Sequence, residues 1–264
     1  MSGQSEAPTV AVLVIGDEIL SGRTKDANLG IIADWAGVMG LDLKEARVVA
    51  DDEDDIVAAL NALRQRYDYV FTTGGIGPTH DDITADAVAK AFGVTIDVDP
   101  RAVYEMNKRY TRQTLTPARL RMARIPEGAE LIENIVSRAP GFRIGNVYVM
   151  AGIPNIMQAM LDAAAPTLKT GRRLLSRTVP TDLPEGAVSE PLGVIAKRHK
   201  GAMIGSYPRF ENNRFSTRIV VRAREEALLA EVVTEIEAMV AGIDREAAAI
   251  RPLSEQSHGS EAKE

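Results

Sequence analysis

Phe71-Thr72-Thr73-Gly74-Gly75-Ile76-Gly77-Pro78-Thr79-His80-Asp81-Asp82-Ile83-Thr84 decides how this chain is read. An apolar strand over 69–73 runs into three glycines, a proline and two adjacent carboxylates. A helix pattern resumes at once with Ala85, Val88, Ala89 and Phe92. A strand, a glycine loop and a helix N-terminus in succession present backbone N–H groups to an anion. The expected ligand is therefore a phosphate-containing small molecule, held by Gly74, Gly75, Ile76, Gly77, Pro78 and Thr79. The loop lacks the lysine of a P-loop and the spacing of the dinucleotide fingerprint. Glycines also serve simply to turn a strand into a helix, and Asp81 with Asp82 could be N-terminal caps. One cap is enough, however, and paired carboxylates repel an anion unless a divalent cation lies between them. Oxygen ligands of this kind suit Mg²⁺, Mn²⁺ or Co²⁺.

Outward from this motif, strand and helix patterns alternate. Residues 10–15 (Val-Ala-Val-Leu-Val-Ile) form a continuous apolar run, as expected of a strand buried on both faces. The run ends at a second acidic pair, Asp17 and Glu18, which also reads as a turn and cap. A helix follows from Asn28, itself a natural start, with Leu29, Ile32, Ala36 and Met39 on one face and Gly40 as its stop. Residues 41–49 read as a strand, and Asp51 as the cap of a helix carrying Ile56, Leu60 and Leu63. A short strand is expected over 94–98. Asp99-Pro100 and Thr116-Pro117 are helix starts in a more polar excursion. Two further strands, 129–132 and 142–150, lead through Gly152-Ile153-Pro154 into a helix with Ile156, Met157, Met160 and Leu161.

This alternation predicts an α/β fold with a doubly wound, mostly parallel sheet over 9–168. In such sheets ligands sit beyond the C-terminal strand ends. Asp17, Asp51, the 74–82 turn and Gly152 all fall at that edge. A smaller α+β domain is expected over 172–243. Its strands are 173–179, 202–207 and 216–223, with a helix around 192–198 and a closing amphipathic helix over 225–243. Residues 245–264 lose periodicity and read as a tail.

Composition narrows the function. The formal net charge of -6 argues against nucleic acid as the main partner, since phosphate backbones demand a basic surface. With no cysteine, thiolate metal sites and disulfides are excluded, and three histidines make a multi-histidine zinc site a poor expectation. His80 is an ordinary polar loop residue or a ligand. Arg138, Arg143 and Lys25 are candidate phosphate contacts. No Ser/His/Asp hydrolase signature is visible. Residues 1–8 lack a signal-peptide core and no apolar run approaches a membrane span, so a cytoplasmic location and no membrane partner are expected.

The motifs 14–22 (Val-Ile-Gly-Asp-Glu-Ile-Leu-Ser-Gly) with Asn28, and 73–84, resemble the molybdopterin-binding-like (MoaB/Mog fold) family. Within it they are most similar to the N-terminal domain of competence/damage-inducible protein A (CinA) and the equivalent domain of eukaryotic FAD synthase. Ala139-Pro140-Gly141-Phe142, Gly152-Ile153-Pro154, and Ser206-Tyr207-Pro208 with Asn212-Asn213 extend the likeness over 10–243. The resemblance implies a pyrophosphatase acting on ADP-ribose or FAD-like nucleotides with Co²⁺, Mg²⁺ or Mn²⁺ and K⁺. It further implies a homodimer or homotrimer and a KH-like second domain. Asp81, Asp82, Asp17 and Glu18 would be metal ligands, Asp51 a general base, and Asn28 and Gly152 substrate contacts. The expected alternative is a molybdopterin- or nucleotide-binding protein of molybdenum cofactor metabolism without hydrolysis. The adenylyltransferases of that fold carry a threonine in place of Ile76 and a basic residue in place of Asp81. The nicotinamide-nucleotide deamidase and adenylyltransferase domains of the two relatives have no counterpart in this sequence, so those activities are expected to be absent.

Overall fold

The strand over 10–15 alternates its side chains between two apolar layers, and this places it inside a sheet covered on both faces. Ala11, Leu13 and Ile15 pack with Ile56, Leu60, Val88 and Val149. Val10, Val12 and Val14 pack with Ile32, Phe71, Met157 and Leu161. A period of two on a strand and ~3.6 on a helix brings these sets together without any polar group between them.

The computed structural model describes residues 7–211 and 214–250. The chain divides into two compact units at Arg173/Leu174. In the first, β1 (Thr9–Ile15) leads through the one-turn α1 (Asp17–Leu20) to α2 (Asn28–Met39) and β2 (Asp42–Val49). Then come α3 (Glu53–Arg66), β3 (Tyr69–Thr73), α4 (Thr84–Phe92), β4 (Ile96–Val98), α5 (Pro100–Asn107) and α6 (Pro117–Leu120). After a 3-10 turn (Arg121–Ala123) follow β5 (Arg124–Pro126), β6 (Glu130–Ile132), β7 (Gly141–Ile144), β8 (Val147–Met150) and α7 (Pro154–Ala164).

Among the described residues the main sheet has the order β2-β1-β3-β8-β7-β6. The pairings β1–β2, β1–β3 and β3–β8 are parallel, and β7 runs antiparallel to both β8 and β6. The sheet is thus mostly parallel, as expected, with an antiparallel flank. The flank exists because residues 142–150, read as one strand, are two. Gly145 adopts φ 56 and, with Asn146, turns the chain between them. The Asn146 side chain locks this turn onto the C-terminal end of α3 by donating to the carbonyls of Arg64 and Tyr67 at 3.0 and 2.9 Å. β4 does not join the main sheet; it pairs with β5 in a separate two-stranded ribbon. Asp99 and Thr116 do cap their helices, accepting from the N–H groups of Arg101 and Arg119.

The second unit holds β9 (Leu175–Thr181), α8 (Glu185–Arg198), β10 (Ala202–Glu211), β11 (Arg214–Ala223) and α9 (Glu226–Ile250). Its antiparallel sheet has the order β10-β11-β9. Val179, Ile219 and Val221 face Val188, Leu192, Leu229 and Val232 of the two helices. The opposite side of the sheet, with Met203, Tyr207, Arg218 and Arg222, is exposed. The helix expected from about 192 begins at Glu185, with Pro191 inside it. Proline forgoes one backbone bond there, and buried Val188 holds the earlier turns on the sheet. The closing helix continues to Ile250, past the expected end at 243. The tail beyond 250 and the Asn212-Asn213 pair lie outside the described residues. No described helix is long and apolar enough to cross a membrane.

Candidate functional site

The glycine turn is seated directly on β1. Gly74 adopts φ 105 and Gly75 φ 67, a region that disfavours side chains. A Cβ on Gly74 would strike the carbonyl oxygen of Ile15, and one on Gly75 the Thr84 hydroxyl. The Thr84 hydroxyl donates to the Gly74 carbonyl at 3.0 Å, and the Thr84 N–H donates to the Gly75 carbonyl at 3.0 Å. The turn is therefore clamped to the first turn of α4. Gly152, in the β8–α7 loop, lies against Gly74: a Cβ on it would sit 3.3 Å from the Gly74 Cα.

Asn28 fixes the same region from the other side. It is buried, and its Nδ2 donates to the Thr73 hydroxyl and to the Gly152 carbonyl, both at 2.7 Å. Three separate segments meet on this one amide, so Asn28 acts as a positioning residue for the turn. Its Oδ1 is buried without a partner.

The acidic residues divide into two groups. Asp51 follows β2 and accepts the N–H of Asp17, the first residue of α1, at 2.9 Å. It is not the cap of α3, as its position implied; Asp52 is, accepting from Asp54 and Asp55 at 3.0 Å. With the cap supplied by its neighbour, Asp51 is free to reach the β1–α1 loop. Partial burial raises the affinity of Asp51 for a proton. The Asp17 amide opposes this, and the negative charges of Asp17, Glu18 and Asp81 reinforce it. Three carboxylates, following two other strands, therefore act on Asp51.

Asp82 stands apart from that group. Its Oδ2 accepts the Thr79 N–H at 2.8 Å and a short bond from the Thr79 hydroxyl. Asp82 thus shapes the turn, and Asp81, largely exposed, is also held by the Thr79 side chain, which lowers its affinity for a proton. His80 is almost fully exposed, 3.9 Å from Asp81. A divalent cation, the group the resemblance implies, suits the oxygen-only donors of Asp17, Glu18, Asp51 and Asp81 and would relieve their mutual repulsion. Among the described residues no three His, Asp or Glu side chains stand close enough to form a ready-made metal cage. The fit is one of charge and donor chemistry.

A pocket opens beside the turn, lined by Gly75, Gly77, Asp82, Arg121, Arg124 and Phe142 among others. Arg121 and Arg124 were not singled out by sequence. The arginines that were singled out have structural partners. Arg143 pairs with Glu130 at 2.7 Å, and Arg138, at φ 64, pairs with Glu133 at 3.1 Å. Lys25 is exposed.

Comparison with known proteins agrees with this architecture. Residues 11–170 match a family described as a probable molybdopterin binding domain, and residues 173–245 match the FAD synthase middle domain. A CinA-like protein of Desulfosudis oleivorans is 35% identical over 75% of this chain and 51% of its own length. A probable FAD synthase of Caenorhabditis elegans is 30% identical over 89% of this chain and 50% of its own length. The chain thus spans about half the length of these two relatives. A protein of Thermoplasma acidophilum is 33% identical, with 80% of its length covered. A crystal structure from the same organism, described as CinA with unknown function, superposes with a TM-score of 0.58. It is 36% identical, over 62% of this chain and 99% of that one.

Proposed function

This chain belongs to the family of probable molybdopterin binding domains, and on that premise we propose that it is a divalent-metal-dependent pyrophosphatase of ADP-ribose or FAD-like nucleotides. The observation that carries the reading is Asp51, which bonds the Asp17 N–H across the strand ends and whose affinity for a proton is raised by partial burial and, to a lesser degree, by Asp17, Glu18 and Asp81. A carboxylate of raised basicity suits a general base near neutral pH. Likenesses to a CinA-like protein and to an FAD synthase support a nucleotide as the molecule acted on.

The backbone amides of 74–79 would bind one phosphate, with Gly74 and Gly75 admitting the close approach that a side chain would block. Asp17, Glu18 and Asp81 would hold the cation. When bound, it supplies Lewis-acid charge at the diphosphate. Asp51 accepts the proton of the attacking water as its oxygen bonds to phosphorus and the bridging P–O bond breaks. Two monophosphates leave, AMP and ribose 5-phosphate in the case of ADP-ribose. Asn28 and Asp82 hold the turn in place. The partner is a small nucleotide, the compartment the cytoplasm, and the assembly a homodimer or homotrimer, which light scattering on the full chain checks. The test of activity is phosphate release from ADP-ribose and FAD, coupled to a phosphatase, over a Co²⁺, Mg²⁺ and Mn²⁺ series with K⁺. No release above a protein-free control under any of these conditions refutes the reading.

A second reading is binding of molybdopterin or its adenylated form without hydrolysis, which the match to a probable molybdopterin binding domain supports. Calorimetry with molybdopterin separates the two, since tight binding without phosphate release belongs to the second alone.

A further inference from the structure

We propose that Arg121 forms an anion position of its own in the pocket beside the glycine turn and takes the second phosphate of the ligand. This rests on the pyrophosphatase reading, in which the turn's amides take the first.

The pocket contains two arginines, and they stand in opposite states. Arg124 is spent: its two terminal nitrogens meet both oxygens of Asp86 at 2.7 and 2.6 Å, a bidentate pair that neutralises it. Arg121 has no such partner. Its Nη2 reaches only the main-chain carbonyl of Asp82, at 3.4 Å, and its Nε is buried without any acceptor. Among the described residues no carboxylate lies within ion-pair distance of it. A guanidinium has five N–H donors in a fixed fork, matched to phosphate oxygens. Leaving one of them buried and unpaired is costly unless another molecule completes it.

The segment that carries Arg121 is held, not loose. The Asp99 N–H donates to the Ala123 carbonyl at 2.8 Å, and the β4–β5 ribbon continues directly from it. Ala123 and Ile125 are buried in the core that also contains Val88 and Phe142. An anchored backbone thus holds a cation without an ion pair beside a space also lined by Gly75, Gly77 and Asp82. The charged side chains of the pocket balance, Arg121 and Arg124 against Asp82 and Asp86, and with Arg124 paired to Asp86 the Arg121 fork is the cation left without an ion pair. A ligand with two linked phosphates can engage the amides with one and the fork with the other; a ligand with one phosphate cannot do both.

The test uses the full chain and two probes, ADP and AMP, measured by isothermal calorimetry on wild type, Arg121→Gln and Arg121→Lys. Wild type should bind ADP more tightly than AMP. Arg121→Gln should weaken ADP by ~10- to 100-fold, the worth of a hydrogen bond to a charged group, and leave AMP unchanged. Arg121→Lys should recover part of the loss, and melting temperatures should stay at or above wild type, because no internal ion pair is broken. Equal ADP affinity in wild type and Arg121→Gln would overturn the proposal. So would an equal loss for ADP and AMP, or wild type that binds neither. If wild type discriminates as expected but releases no phosphate from ADP-ribose or FAD, the pyrophosphatase reading fails and the anion position stands.

Discussion

The sheets of the two units are built from similar residues but covered differently. The first unit buries both faces of its sheet, with α3 and α4 on one side and α2 and α7 on the other, as the two separate apolar clusters around β1 record. The second buries one face beneath α8 and α9 and leaves the other to solvent. A doubly covered sheet has no face to offer a ligand, so polar chemistry collects where its strands end. The acidic cluster, the glycine turn and Asn28 all lie at such ends. The half-covered sheet has no comparable gathering: Arg218, Arg222, Met203 and Tyr207 are spread across an open surface. The difference teaches where to look in each unit, strand ends in one and a face in the other.

The sharpest way to break this contrast is at Asp51. Asp51→Asn should lower turnover of ADP-ribose by ~10²- to 10⁴-fold, as loss of a general base does, in the phosphatase-coupled assay. The same variant should melt higher at neutral pH. The folded-state pKa of Asp51 is raised, so its ionised form weakens the fold as pH rises through that value, and an amide removes the penalty while still accepting the Asp17 N–H. A lowered melting temperature would recast Asp51 as structural. Next in size is the covered face of the second unit. Ile219→Ala, at a fully buried position, should destabilise that unit by ~2–5 kcal/mol in urea unfolding while ADP binding by the folded protein persists.

Asn28→Ala probes the strand ends from the structural side. Removing the amide leaves the Thr73 hydroxyl and the Gly152 carbonyl each short of a buried bond, for a loss of ~1–3 kcal/mol seen as a lower urea midpoint. Turnover should fall with it, because the turn loses its support. The smallest effect belongs to the open face: Arg222→Ser should change stability by no more than ~0.5 kcal/mol. A larger loss would mean that this face is covered in the native assembly.

Much of this contrast was legible in the sequence, because periodicity reports burial directly. The unbroken apolar run 10–15 matched a strand covered twice, and Gly40 stops its helix in the left-handed conformation, as its position implied. Local sequence gives less where two neighbouring residues can exchange roles. Asp51 and Asp52 are equally good caps, and only the position of the Asp17 amide, 34 residues away, decides that Asp52 takes the helix. The turn at Gly145-Asn146 did carry a signal, a Gly-Asn pair between two apolar runs, which reading 142–150 as one strand passed over. Arg121 was not distinguishable from other exposed-looking arginines, since what sets it apart is the absence of a carboxylate in space.

Asp17, Asp51 and Asp81 follow three neighbouring parallel strands, with β1 registered against both β2 and β3. Parallel partners cannot be joined by a tight turn, so each pairing closes a loop that contains a helix. No single strand–helix segment carries enough of the cluster to act alone. During refolding, helices can form within each segment long before the three strands reach register, and loop closure makes that step slow. The charge cluster is therefore assembled with the sheet itself: a chain caught partway through folding has the residues of the site but not the site.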